Sequence, residues 1–219
     1  MAREAFIREL DELKTDLIKM GSMVEESIAN TLIAFKEKDI ELARRVFNND
    51  EVIDFMEKKI EKHCLILIAR QQPLAHDLRT ISAALKIITD LERIADHSAD
   101  IAEITIHMTD SKYIKPLIDI PKMANAAMRM VNKAIDSYVR QDIELAKYVC
   151  VSDKEVNELY SKTLTDLITI MKNDAQAVEL AVNFIFIAKY LEKMADHATN
   201  IAEWVLYNVT GEHKSAHNY

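Results

Sequence analysis

Two stretches of this chain occur twice. DIELARRVFNND at 39–50 returns as DIELAKYVCVSD at 142–153, and LERIADHSADIAE at 91–103 returns as LEKMADHATNIAE at 191–203. A duplication with a period near 100 residues restricts the fold to two similar units, each carrying both segments in the same order. The first pair is offset by 103 positions and the second by 100. Three residues are therefore missing from the second unit, a loop-length change that such a scaffold absorbs at little cost.

What the units are made of follows from what is scarce. With 2 Gly and 3 Pro in 219 residues, little material remains for hairpins or sheet turns, and the chain reads as helix nearly throughout. Apolar residues recur at three- and four-residue intervals, which predicts six long amphipathic helices near 5–36, 39–70, 74–109, 118–140, 142–172 and 175–209. Asp39 and Asp142 suit N-caps, Pro73 suits the first turn of the third helix, and Gly211 suits the end of the sixth. The one clear break, 109–121 with Pro116 and Pro121, leaves three helices on either side. The expected fold is all-α, with a first unit at 1–112, a second at 117–212 and a tail at 213–219.

Composition excludes several kinds of function. A net charge of −8 without a basic cluster argues against nucleic-acid binding, which needs a concentrated cationic face to displace phosphate counter-ions. The longest uncharged runs, 27–35 and 180–188, fall far short of the roughly 18 apolar residues of a membrane span, so no direct membrane insertion is expected. The opening MAREAFIRELDEL has no apolar signal core, and a cytoplasmic setting follows. Cys64 and Cys150 lack CxxC spacing, which leaves them as small buried residues rather than disulfide partners or zinc ligands. Met123, Met128 and Met130 read as gap-fillers in the core.

The acidic residues are less ordinary. At about 100° per residue, Glu92, Asp96 and Glu103 project within roughly 40° of one another, with Asp100 slightly further round. Leu78, Ile81, Leu85 and Ile88 lead into that face, as Val178, Ala181 and Ile185 lead into Glu192, Asp196 and Glu203 in the second copy. On the second helix Asp50, Asp54, Glu57 and Glu61 fall within roughly 60°. An acidic helix stripe is most often a solvated face. Here it is repeated, aligned with the apolar stripe and matched on a neighbouring helix, and stacked like charges destabilise a helix unless something compensates. A cation held by oxygen donors is the expected compensation, with iron, manganese, magnesium or calcium as suitable ions. His97 and His197 project about 140° away from Glu92 and Glu192 and are not expected to be main ligands. The second unit is poorer in acids: Asn157, Tyr160 and Leu164 stand where Asp54, Glu57 and Glu61 stood, and Asn200 stands for Asp100. The first unit should therefore bind metal more tightly.

These segments, together with FIRELDELKTDLIKMGSMVEESI at 6–28 and ARQQPLAHDLRTI at 69–81, resemble the PhoU family of phosphate-uptake regulators over essentially the whole chain. The resemblance implies two three-helix bundles related by a pseudo-twofold, with acidic motifs that hold multinuclear metal clusters, iron foremost and zinc among the other candidates. It assigns Asp50, Asp54, Glu92, Asp96 and Asp100 as ligands in the first bundle. In the second it assigns Asp153, Asn157, Glu192, Asp196 and Asn200, the two asparagines departing from the acidic pattern. It further implies a non-enzymatic regulator that represses phosphate-starvation signalling, with the ATPase subunit of the phosphate ABC transporter and a phosphate-sensing histidine kinase as partners, while the broad apolar coverage of the helices suggests a homodimer. A di-iron oxidase would need Glu-x-x-His motifs, and no Glu here is followed by His three positions later. Two alternatives remain: an accessory protein of a low-affinity phosphate permease, and a helical adaptor that uses no metal.

Overall fold

The computed structural model describes residues 2–71, 73–108 and 119–212. Its elements are α1 (Ala2–Glu37), α2 (Ile40–Gln71), α3 (Ala75–His107), α4 (Asp119–Arg140), α5 (Ile143–Asn173) and α6 (Val178–Thr210), with a short 3₁₀ turn at Ala175–Ala177 ahead of the last. All six expected helices are present, and there are no strands among the described residues. Most of the expected break, 109–118, and the tail at 213–219 lie outside the described residues.

The two copies of the DIELA segment open their helices identically. Lys38 and Gln141 sit at φ 58° and 52°, the left-handed conformation that ends a helix. The next residues, Asp39 and Asp142, send their N–H groups back to the Ala34 and Ser137 carbonyls at 3.0 Å each. The same two aspartates cap the following helices, accepting from Leu42 N at 2.9 Å and Leu145 N at 3.0 Å. Gly211 closes α6 at φ 77° with its N–H on the Tyr207 carbonyl. Proline placement differs from expectation at two points. Pro73 precedes α3, whose N-cap position is Leu74 in an extended conformation with no side-chain cap. Pro121 falls inside the first turn of α4, where its missing N–H has no helical partner to lose.

Helices α1, α2 and α3 pack as one bundle and α4, α5 and α6 as the other, joined through α3 against α6 and α1 against α4. Side chains that meet across the first junction show that α3 and α6 run antiparallel. Thr80 bonds Asn208, Lys86 lies over Trp204, Asp90 meets His197, and His97 stacks on Tyr190. The last two pairs exchange under the 100-residue offset, which is the pseudo-twofold expressed in contacts. At the second junction, a Cβ on Gly21 would stand 3.1 Å from Ile135 Cγ2, so this glycine lets α1 and α4 approach closely.

One continuous apolar core runs through both bundles, from Phe6, Leu13, Leu17, Met20, Val24 and Ile28 on α1 to Leu191, Met194, Ile201 and Val205 on α6. Each such side chain contributes on the order of 1.5–3 kcal/mol on leaving water. Met123 and Met130 are fully enclosed, as are Cys64 and Cys150, in line with their expected roles. Leu78 and Val178, read as the start of the core-facing stripe, are exposed at 41% each. Each stands in the opening turn of its helix, where the 3.6-residue period does not by itself supply a neighbour.

Candidate metal centre

The packing of α2 on α3 decides where the acids go. A row of residues three, four or seven positions apart is buried on one side of each helix: Val46, Ile53, Ile60 and Cys64 on α2, and Ile88, Leu91, Ala95 and Ala99 on α3. Asp50, Asp54 and Glu57 border the first row, and Glu92 and Asp96 border the second, so the carboxylates meet at the edge of the seam, half-buried. One oxygen each from Asp50, Asp54 and Asp96 lies within 4.8 Å of the other two. Among the described residues this is the one trio of possible ligand atoms that converges so closely.

The electrostatics of this cluster are unbalanced. Burial pushes Asp50 up to about 6, with further contributions from the charges of Asp96, Asp54 and Asp100. Burial, and then Asp96, push Glu92 up to about 7. Asp96 and Glu57 are also raised, again chiefly by burial. The counter-charges are few. Arg93 bonds Asp96 at 3.0 Å and has its Nε 3.4 Å from Glu92 Oε2, while exposed Lys58 stands 3.7 Å from Asp54. Thr89 donates to Glu57 at 3.2 Å. Glu92 Oε2 is buried and accepts no hydrogen bond. A buried carboxylate oxygen that accepts no hydrogen bond and has only Arg93, 3.4 Å away, as counter-charge, beside three converging ones, fits a cation, which would restore these groups to their charged forms. With only oxygen donors at hand, the suitable ions are manganese, iron, magnesium and calcium.

The remaining assigned residues of the first bundle are placed differently. Asp100 turns toward His97, 3.3 Å from its Nδ1, while its charge still acts on Asp50. Glu61 and Glu103, read as part of the same acidic stripes, are exposed, although the charge of Glu61 still acts on Glu57.

The second cluster, on α5 and α6, has the same backbone and a different balance. Burial raises Asp153, followed by Asp196 and Glu192, so these three acids are neighbours. Each has an internal partner. Asn157 donates to Asp153 Oδ2 at 2.7 Å, Lys189 bonds Glu192 at 2.7 Å, and Lys193 bonds Asp196 and stands 3.5 Å from Glu192. Asp153 Oδ1 remains buried without a partner. Asn200, assigned with this cluster, is exposed and donates to Asp90 across the junction at 3.1 Å. His197 Nδ1 shares the same Asp90 oxygen at 2.8 Å.

Sequence reasoning missed three groups here. Lys189 and Lys193 are readable from the repeat, since Lys189 stands at the position of Thr89 and Lys193 at that of Arg93. The Asp90 contact with His197 needs the antiparallel packing of α3 on α6, which no sequence period encodes.

The PhoU domain description matches this chain twice, over residues 17–105 and 120–205. The chain is 37% identical over 213 residues to the phosphate-specific transport system accessory protein PhoU homolog of Clostridium acetobutylicum, covering 97% of each chain. It superposes on the crystal structure of PhoU from Pseudomonas aeruginosa with a TM-score of 0.92 at 34% identity, covering 94% of this chain and 100% of that one. The phosphate transport system regulatory protein PhoU from Streptococcus pneumoniae gives a TM-score of 0.90 at 26% identity, covering 96% of this chain and 99% of that one.

Proposed function

The chain belongs to the PhoU family, and from that premise we propose that it is a non-enzymatic accessory protein of phosphate transport that restrains uptake and represses phosphate-starvation signalling. The role is supported by relatives matched along nearly their whole length and named as accessory proteins of the phosphate-specific transport system. No helix among the described residues is long and apolar enough to cross a membrane, so association with a transporter would run through a docked cytoplasmic subunit. We assign that subunit as the transporter ATPase, with the phosphate-sensing kinase as the second partner and a homodimer as the working form.

In this reading, a cation at Asp50, Asp54, Glu92 and Asp96 fixes α2 against α3 by neutralising carboxylates that otherwise repel. The observation that carries it is the convergence of three carboxylate oxygens within 4.8 Å beside a buried Glu92 oxygen that accepts no hydrogen bond. A bound ion can shift docking only through different affinities for the docked and free states. The test is co-purification of the tagged chain from cells in high phosphate. Recovery of the ATPase subunit, reduced when Asp54 and Asp96 are both changed to Asn, supports the proposal. Recovery of a low-affinity permease instead, or of the ATPase regardless of the Asn changes, overturns the partner or the metal dependence respectively.

A further inference from the structure

Members of one duplicated scaffold are expected to share a site, and the two acidic clusters here do not share a charge. The difference concentrates at one pair of positions. In the first bundle Thr89 on α3 donates to Glu57 on α2 at 3.2 Å. At the matching positions of the second bundle stand Lys189 on α6 and Tyr160 on α5, with the Lys189 ammonium 5.2 Å above the Tyr160 ring centroid. One exchange removes an acid and the other adds a base, and the two replacements touch each other.

We infer that Lys189, seated on Tyr160 and bonded to Glu192, is the residue that excludes metal from the second bundle by serving as a tethered cation in its acidic cluster. The inference extends the metal reading proposed above to a question of selectivity between the two bundles. Three features of the site support it. Lys189 Nζ is 2.7 Å from Glu192, a carboxylate whose side chain is only 12% exposed, so the ion pair sits where a ligand oxygen of the second cluster would have to be free. The Tyr160 ring stabilises an ammonium held over its face and fixes the side chain on that side. Lys193 engages Glu192 and Asp196 as its counterpart Arg93 engages Glu92 and Asp96, so Lys189 is the added cation, and Glu192 faces two ammonium groups where Glu92 faces one guanidinium. A tethered ammonium forfeits no translational freedom when it occupies the site, whereas a free ion must displace it and desolvate. The first bundle has threonine where this lysine stands, so its Glu92 Oε2 accepts no hydrogen bond and has only Arg93, 3.4 Å away, as a counter-charge.

The test uses the full chain stripped of metal and titrated with Mn²⁺, with free ion followed by its paramagnetic resonance signal. Asp54→Asn with Asp96→Asn disables the first cluster, and in that background the chain should bind Mn²⁺ at least about tenfold more weakly than the unaltered chain. Adding Lys189→Thr with Tyr160→Glu, which restores the first bundle's pair, should return a binding class of Mn²⁺ at the second. Circular dichroism melting confirms that each variant folds. Retained tight binding in the Asp54→Asn, Asp96→Asn chain overturns the inference, as does failure of the Lys189→Thr, Tyr160→Glu change to add binding. An unaltered chain that binds no Mn²⁺, alongside a restored chain that does, would sink the metal reading of the first bundle while supporting exclusion by Lys189.

Discussion

The α2/α3 cluster and the α5/α6 cluster hang on the same backbone, yet one gathers five carboxylates near Arg93 and Lys58 while the other gathers three near Lys189 and Lys193. The left-handed turns and aspartate caps that open α2 and α5 agree position by position, and the clusters diverge in side chains at the rim of the seam. The two repeats thus share their helical frame and differ in the charges they carry on it. In the reading proposed here the two bundles compensate their like charges differently: the first with an ion from solution, the second with the chain's own lysines.

The largest expected separation between them is in metal dependence. At a free Mn²⁺ concentration 100-fold above its dissociation constant, binding adds about 2.7 kcal/mol of stability, or a rise of about 5–10 °C in Tm for a chain of this size. Asp96→Ala should abolish that rise in calorimetry, while Asp196→Ala should leave most of it in place. Equal losses from the two variants would erase the distinction drawn between the bundles.

A smaller effect is expected from pH. Asp50 and Glu92 have folded values raised to about 6 and about 7 from ordinary values near 3.8 and 4.5, so the folded state holds these protons more tightly than the unfolded one. Their contribution to metal-free stability is therefore fully present below about pH 4 and lost as pH rises toward 7. Asp50→Asn with Glu92→Gln should flatten the melting temperature over that window, which thermal melts from pH 4 to 7 would record. Added Mn²⁺ should reverse the trend, because the ligands must be ionised to bind. The same pair of substitutions leaving the slope unchanged would place the proton-sensitive groups elsewhere.

The smallest difference is expected where the bundles agree. Asp39→Ala and Asp142→Ala each remove one N-cap and should each cost about 1 kcal/mol, measured by urea unfolding. A disparity of several-fold would mean that the repeats are less equivalent in folding than their matched geometry indicates.

The helices were legible because apolar spacing and the near-absence of glycine leave no competing reading, and the Asp39 and Asp142 caps were legible because their side-chain chemistry is local. Pro73 was misplaced by two residues, since a proline near a helix start can occupy the first turn or stand ahead of it, and sequence does not choose. The meeting of Asp50, Asp54 and Asp96 was legible from two acidic faces on successive helices. Glu103 was not separable from them by angle, because exposure depends on where the neighbouring helix ends. Asn200 was assigned by alignment to a cluster it turns away from, drawn to Asp90 on a helix 110 residues distant in sequence. Partners that meet across the α3/α6 junction lie beyond the reach of any single helical wheel.

The most direct test of the central claim is anomalous diffraction from a crystal of the full chain grown with excess Mn²⁺. The account predicts a strong peak among the carboxylates of Asp50, Asp54, Glu92 and Asp96, with Lys189 Nζ still on Glu192 and no comparable peak beside Asp153 and Asp196. Peaks of equal height in both bundles, or a peak in the second alone, would contradict it.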